Sequence, residues 1–292
     1  MRVNVNGRSV EATEGETLLH VLRRLGMAPP ALCDDPRLRP IGECRMCSVE
    51  IVGEAHLGTA CTLPVRDGLE VRTDTPALRE FRRTLLDWMA ERISPAAVDR
   101  FPNKPMHRLL GEAGVAARGP DAPEDACDLS HPFIRVDMSQ CISCMRCVRI
   151  CEDVQGQSVW HAVDRGARTH IVPDSLTTLA ASSCVGCGAC VDTCPTAALT
   201  DRRAPPAVAD ARHVRTTCGY CGVGCELDVA TDGTSILGVR PPLDAPVNKG
   251  HLCVKGRYAF DFNASPDRIR HPMIRQGNAW RRASWDEALG HV

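Results

Sequence analysis

Cys141-Ile-Ser-Cys144-Met-Arg-Cys147-Val-Arg-Ile-Cys151 and Cys184-Val-Gly-Cys187-Gly-Ala-Cys190-Val-Asp-Thr-Cys194-Pro195 are two copies of one spacing, C-x2-C-x2-C-x3-C. Thiolates so spaced form the ligand run of a 4Fe-4S cluster, and two copies in one chain predict two clusters in one module. In such pairs the fourth cysteine of each run ligates the other cluster. The expected sets are Cys141, Cys144, Cys147 with Cys194, and Cys184, Cys187, Cys190 with Cys151, so neither half should fold alone. The first copy has Glu152 in place of the closing proline, and a long insert, Val154 to Ser183, follows it. Within that insert, residues 157–172 read either as an elongated loop or as a hairpin docked on a neighbouring domain.

Upstream lies a third group, Cys33, Cys44, Cys47 and Cys61. Before it, residues 2–5 and 8–11 alternate around Asn6-Gly7, a dipeptide favoured in two-residue hairpin turns. Residues 15–26 read as a helix with Leu18, Leu19, Val21, Leu22 and Leu25 inward. A hairpin followed by a helix opens a β-grasp fold. The spacing C-x10-C-x2-C-x13-C departs from the plant-type ferredoxin pattern, and four thiolates also suit tetrahedral zinc, but a zinc ribbon lacks this β-grasp preface. Gly42 and Gly58 are expected to let backbone N–H groups reach cluster sulfurs. Downstream, Cys218, Cys221, Cys225 and Cys253 make a fourth group, with strands expected at 226–230 and 235–240.

Sixteen of the seventeen cysteines fall into these four groups, and only Cys127 is left over. A disulfide-stapled secreted protein is usually short and carries a signal peptide. This chain has 292 residues, no apolar h-region near Met1 and no run approaching the roughly 18 apolar residues of a membrane span. A soluble, cytoplasmic protein is expected, whose thiols stay reduced and bind metal. The formal charge of -1 leaves no electrostatic footprint for nucleic acid, and the arginine pairs at 23–24, 82–83, 202–203 and 281–282 read as solvated surface. Aromatic residues are only 4% of the chain, so the small modules need cluster ligation to supplement aliphatic cores.

Between the first and second modules the pattern changes. Residues 77–92 predict a helix with Leu78, Phe81, Leu85, Leu86 and Met89 on one stripe. Breaks at Pro95, Pro102 and Pro105 follow, and residues 117–126 read as an exposed loop. The expected organisation is an α+β multi-domain chain: a β-grasp domain carrying the first cysteine group (1–75), a helical connector (76–130), a double 4Fe-4S ferredoxin-type domain (131–205) and a final 4Fe-4S domain (212–292).

The N-terminal group resembles the 2Fe-2S domain that opens the electron-input subunit of complex I and of NAD-linked formate dehydrogenases and hydrogenases. Residues 212–292, with Cys253-Val-Lys-Gly-Arg-Tyr258, Ser265-Pro-Asp-Arg-Ile-Arg-His-Pro-Met-Ile-Arg275 and Ser284-Trp-Asp-Glu-Ala-Leu289, resemble the N-terminal cluster domain of molybdopterin oxidoreductases. From end to end the chain is similar to the front part of the cytosolic NAD-dependent formate dehydrogenase alpha subunit. It departs from those relatives that hold an extra cluster by one His and three Cys in the connector. His107 has no companion cysteines there, so it reads as a surface or helix-packing residue, and Cys127 as a small buried or inert thiol.

The resemblance implies one 2Fe-2S and three 4Fe-4S clusters. These would carry electrons between a molybdenum or tungsten bis-pterin guanine dinucleotide site and a flavin/NAD-binding diaphorase subunit, which a solvent-exposed first cluster would face. Lys255 would sit between the last cluster and a pterin; the plainer reading is a solvated lysine beside a turn. The family's catalytic molybdopterin domain lies beyond Val292, so these residues alone are expected to move electrons without oxidising formate. A complex I type subunit shares the cluster order, a hydrogenase diaphorase subunit resembles the first three groups, and a zinc-filled interaction scaffold is the alternative of another class.

Overall fold

The computed structural model describes residues 1–123, 126–202 and 211–292. At the N-terminus β1 (Arg2–Val5) and β2 (Arg8–Glu11) form the expected hairpin, with Asn6 and Gly7 both at positive φ. Helix α1 (Leu18–Arg24) buries Leu18, Leu19, Val21 and Leu22. It stops at Gly26, φ 67°, where the Met27 N–H returns to the Leu22 carbonyl and the Gly26 N–H to that of Arg23. This is the left-handed helix ending that glycine permits at least cost. Strands β3 (Ser48–Ile51), β4 (Leu57–Thr59) and β5 (Glu70–Arg72) complete a sheet of order β2-β1-β5-β3-β4, with only β1 and β5 parallel. The helix and sheet share one aliphatic core containing Val3, Val5, Val49 and Val71, and each such side chain contributes roughly 1.5–3 kcal/mol by burial.

The connector is three helices, each opened by a proline: α2 (Pro76–Ala90), α3 (Pro95–Arg100) and α4 (Pro105–Ala113). Thr75 and Ser94 cap the first two, accepting from the N–H of Leu78 and Ala97. The connector packs into the cysteine-bearing modules on both sides rather than merely linking them. Leu86, Ala90, Ile93, Met106 and Leu110 pack with Leu32, Cys33, Cys44 and Met46 on one side and Cys144 on the other. Arg82, read from sequence as a surface charge, donates to the carbonyls of Met46, Ser48 and Thr73, and Arg202 likewise braces Leu129 and His131; Arg203 lies outside the described residues. The loop expected at 117–126 is anchored where it starts. Arg118 and Gly119 donate to Ala90 and Ile93, and a Cβ on Gly119 would lie 2.6 Å from backbone; residues 124 and 125 lie outside the described residues.

In the double-cysteine module β6 (Ile134–Val136) pairs with β9 (Leu199–Asp201). Between them come α5 (Arg146–Arg149), the hairpin β7 (Trp160–Val163) and β8 (His170–Pro173), and α6 (Ala189–Thr193). The insert forms a hairpin whose buried residues share a core with Leu38 of the first module. Trp160 and Ile171 are buried in this module's own core with Ile134, Ile150 and Leu199, because an indole removed from water needs an apolar bed within reach. The boundary at 205 falls outside the described residues. The last module has an antiparallel sheet of β10 (Arg212–Thr217), β11 (Glu226–Thr231) and β12 (Ile236–Arg240), then α7 (Val254–Tyr258). A hairpin of β13 (Met273–Gln276) and β14 (Ala279–Arg282) and helix α8 (Trp285–His291) follow. No helix among the described residues is long and apolar enough to cross a membrane.

Candidate metal centres

Two small cavities in the double-cysteine module divide its ligand runs between them. Cys141, Cys144, Cys147 and Cys194 line one, walled by Met138, Ile171 and Leu199. Cys184, Cys187, Cys190 and Cys151 line the other, walled by Ile134, Val159 and Trp160. Local backbone produces this exchange. Arg146–Arg149 runs on into a five-residue π turn, Ile150–Val154, that carries Cys151 away from its own run, while α6 ends at Cys194-Pro195 and delivers Cys194 to the other cavity. Backbone N–H groups point at the sulfurs: Ser143 to Cys141, Gly186 to Cys184 and Val159 to Cys151, each at 3.4 Å.

Burial pushes the Cys144 thiol up to about 12, with the Cys194 charge adding to the effect, and drives Cys147 and Cys190 well above the ordinary thiol value. Since thiolates are the ligand form, four of them in such a cavity require cationic charge at its centre. An all-sulfur set with aimed N–H donors in an apolar wall fits an iron-sulfur cluster.

In the first module Cys33, Cys44, Cys47 and Cys61 are all buried, under a layer of loop whose outward residues include Ile41, Glu43 and Arg45. The expectation of a solvent-exposed site is corrected to a buried one beneath a thin cover. Among the N–H groups that reach sulfur here are those of the cysteines themselves. Cys33 and Cys44 donate to each other's sulfurs at 3.4 and 3.5 Å. Gly42 instead takes φ 68° close to Thr59, and Gly58 makes room for Ile51, whose Cδ1 would lie 2.8 Å from an added Cβ. Hydrogen bonds from the Cys44 and Cys61 thiols hold Cys33 well below the usual thiol range and push those two up.

The fourth group is the open one: Cys218 and Cys225 are half-buried and Cys221 and Cys253 exposed. Cys218 ends β10 and donates its N–H to the Cys225 carbonyl; Cys253 caps α7, and Asn248 ties this loop down through Glu226 and His251. Lys255 is exposed and lines a cavity of about 300 Å³ with Cys218, Tyr220 and Phe262. His107 is buried rather than on the surface: its Nδ1 contacts the Phe101 carbonyl at 2.8 Å, and its Nε2 is buried without a hydrogen bond. Cys127 is buried with the Arg135 guanidinium 2.8 Å from its sulfur.

Charged residues that sequence reasoning passed over join the centres. Asp35, two residues past Cys33, is 3% exposed; it accepts from Arg37, from Arg146 at 2.7 Å and from Thr193 at 2.8 Å. Burial alone would raise its pKa, yet the Arg37 and Arg146 hydrogen bonds hold the carboxyl well below the usual range. Arg149, between Cys147 and Cys151, donates to the Cys33 carbonyl at 2.6 Å. Arg257 of α7 is 1% exposed and pairs with Asp192 and Asp201, while the Tyr258 hydroxyl donates to Asp201 and its ring stacks on Phe133 at 4.6 Å. The available signal was the placing of Arg146, Arg149 and Asp192 inside cysteine runs, where a merely solvating charge is out of place.

Three regions match family models: a 2Fe-2S iron-sulfur cluster binding domain over residues 1–76, the ferredoxin-like domain of NADH-quinone oxidoreductase subunit 3 over 131–200, and a molybdopterin oxidoreductase Fe4S4 domain over 211–265. The chain is 34% identical to an NADH-quinone oxidoreductase subunit of Rhizobium meliloti, a match covering 99% of this chain and 34% of that protein. It is 29% identical to YrhE of Bacillus subtilis, provisionally named a formate dehydrogenase, over 99% of this chain and 34% of the relative. The chain thus spans about a third of the length of these relatives. Among solved structures it is similar to a chain of an NAD+-reducing NiFe-hydrogenase in the H2-reduced state, with TM-score 0.60 and 25% identity, covering 70% of this chain and 88% of that one.

Proposed function

We propose that this chain, which carries iron-sulfur domains of the NADH-quinone oxidoreductase and molybdopterin oxidoreductase types, is an electron relay holding one 2Fe-2S and three 4Fe-4S clusters. The ligands in this reading are Cys33, Cys44, Cys47 and Cys61; Cys141, Cys144, Cys147 and Cys194; Cys184, Cys187, Cys190 and Cys151; and Cys218, Cys221, Cys225 and Cys253. The observation that carries it is the lining of two cavities by exchanged cysteine sets, with Cys33 and Cys44 of a third, buried set packed into a core shared with Cys144. Bound clusters supply one-electron redox capacity. The chain's own residues bury most of the first three sets, aim N–H dipoles at the sulfurs, and bring the Arg146 charge, itself paired with Asp35, near Cys144.

The relay runs between a flavin/NAD-binding subunit and a molybdenum or tungsten bis-pterin site on a catalytic domain or partner, with Lys255 reaching from α7 toward the pterin. Formate is the substrate this reading assigns to that site, on the Cys253-Val-Lys-Gly-Arg and Ser265-Pro-Asp-Arg stretches and the relative YrhE. The higher identity to an NADH-quinone oxidoreductase subunit favours a second reading, an NADH-fed relay of complex I type.

Anaerobic purification tests the relay. A brown protein with iron and sulfide in the proportion of one 2Fe-2S and three 4Fe-4S clusters supports it, and a colourless zinc protein overturns it. In the complete enzyme, bleaching of the clusters by formate supports the first substrate reading, and bleaching by NADH alone with no response to formate supports the second.

A further inference from the structure

The connector brings one charge to the double-cysteine module that the relay described above does not use. Lys104 stands between Asn103 and Pro105 at the start of α4. Its ammonium reaches the carbonyl oxygens of Val191, Cys194 and Leu199 at 3.3, 3.1 and 3.4 Å. Three acceptors round one nitrogen use three N–H bonds, the number only the protonated amine has. Val191 and Cys194 stand at the end of α6, whose last carbonyls have no helical partner, so the ammonium satisfies orphan acceptors at a negative helix end. Beside it the Met106 N–H donates to the Pro195 carbonyl at 3.0 Å, which fixes α4 against the Cys194-Pro195 turn. Asp192 and Asp201 line the same cavity but are held by Arg240 and Arg257. Lys104 is thus directed onto the backbone of one candidate ligand.

We propose that Lys104 is a positioning residue whose charge, held against the Cys194 backbone, raises the reduction potential of the cluster assigned to Cys141, Cys144, Cys147 and Cys194. This rests on reading that site as a 4Fe-4S centre. Where all ligands are thiolates, potential is set by the charges, hydrogen bonds and exposure around them. Reduction adds negative charge, and a cation held at the backbone of one ligand favours it. The connector, which lacks a cysteine run of its own, then acts on the relay electrostatically.

The test is an EPR-monitored redox titration of the full chain loaded with its clusters, the relevant signal being assigned through a Cys141→Ser variant. Lys104→Met removes the charge, Lys104→Gln removes it while keeping an amide donor, and Lys104→Arg retains it. Both neutral variants should lower this cluster's reduction equilibrium at least tenfold, about 59 mV for a one-electron couple. The cluster of the Cys184 run should move less, and Lys104→Arg should stay near the parent. A neutral variant with full iron and an unmoved potential overturns the inference, as does an arginine variant that falls as far as the neutral ones. Failure of both neutral variants to load while the arginine variant loads also overturns it, making Lys104 a folding requirement. A parent protein without iron would instead defeat the cluster reading beneath it.

Discussion

The two cysteine runs share a spacing and a backbone path but not the residues that shape it. Each run turns twice through the left-handed region: at Ser143 (φ 53°) and Met145 (φ 59°) in the first copy, and at Gly186 (φ 67°) and Gly188 (φ 73°) in the second. The turns themselves therefore do not demand glycine. What differs is the neighbour. Met145 packs its side chain against the module's core, whereas an added Cβ on Gly188 would lie 2.3 Å from Nε of Arg257, which reaches across from α7. The glycines of the second copy are set by docking of the last module, whereas the first copy keeps a side chain at Met145 that packs into its own module's core.

Removing a fourth cysteine should break this comparison most severely. Cys194→Ala is expected to abolish the 4Fe-4S signal of the Cys141 run, and Cys151→Ala that of the Cys184 run, by EPR and iron analysis. Loss of the signal from the mutated cysteine's own run in both variants would refute the exchanged pairing. Arg257→Met comes next. It leaves Asp192 and Asp201 with one guanidinium fewer in a buried pair, and should lower denaturant stability by about 3–5 kcal/mol. Gly188→Ala combines left-handed strain with overpacking against Arg257 and should lose roughly 2–4 kcal/mol. Ser143→Gly relieves the same strain in the first copy at some entropic cost, and is expected to change stability by less than about 1 kcal/mol.

Acid supplies the smallest effect. The ring of His131 lies beside Gly186, and its Nδ1 accepts from the N–H groups of Phe133 and Ile134, a role open only to the neutral imidazole. Burial lowers its pKa below the ordinary value, as it does for His107. The unfolded chain therefore binds the proton first as pH falls below about 6.5, and the stability present above that pH is lost on the way down. The thermal midpoint should fall between pH 7.5 and 5.5, and fall less in His131→Asn; an equal fall would show that other groups carry the slope.

Much of this architecture is legible in residue spacing. The opening hairpin, the helix expected over 77–92 and the strands near 226 and 236 depend on local periodicity and all appear. Hidden from sequence were the contacts made at long range. Asp35 meets Arg146 across 111 positions, and Lys104 meets Cys194 across 90. Lys104 carries the composition of solvated surface, Arg146 stands out only by its place inside a cysteine run, and the fold alone shows what stands opposite them. Strand β10, Arg212-His-Val-Arg-Thr-Thr217, was equally invisible, because its single apolar residue offers no alternation to read.

The apolar core in which Cys33, Cys44 and Cys144 lie together also bears on how the protein is made. If the Cys33 and Cys141 sets each take a cluster, as proposed, such a core cannot mature by halves, since an empty centre on one side loosens the bed on which the other is assembled. Under iron limitation the population should therefore divide into filled and empty chains, with few partly loaded ones, and the protein would register iron supply as a threshold.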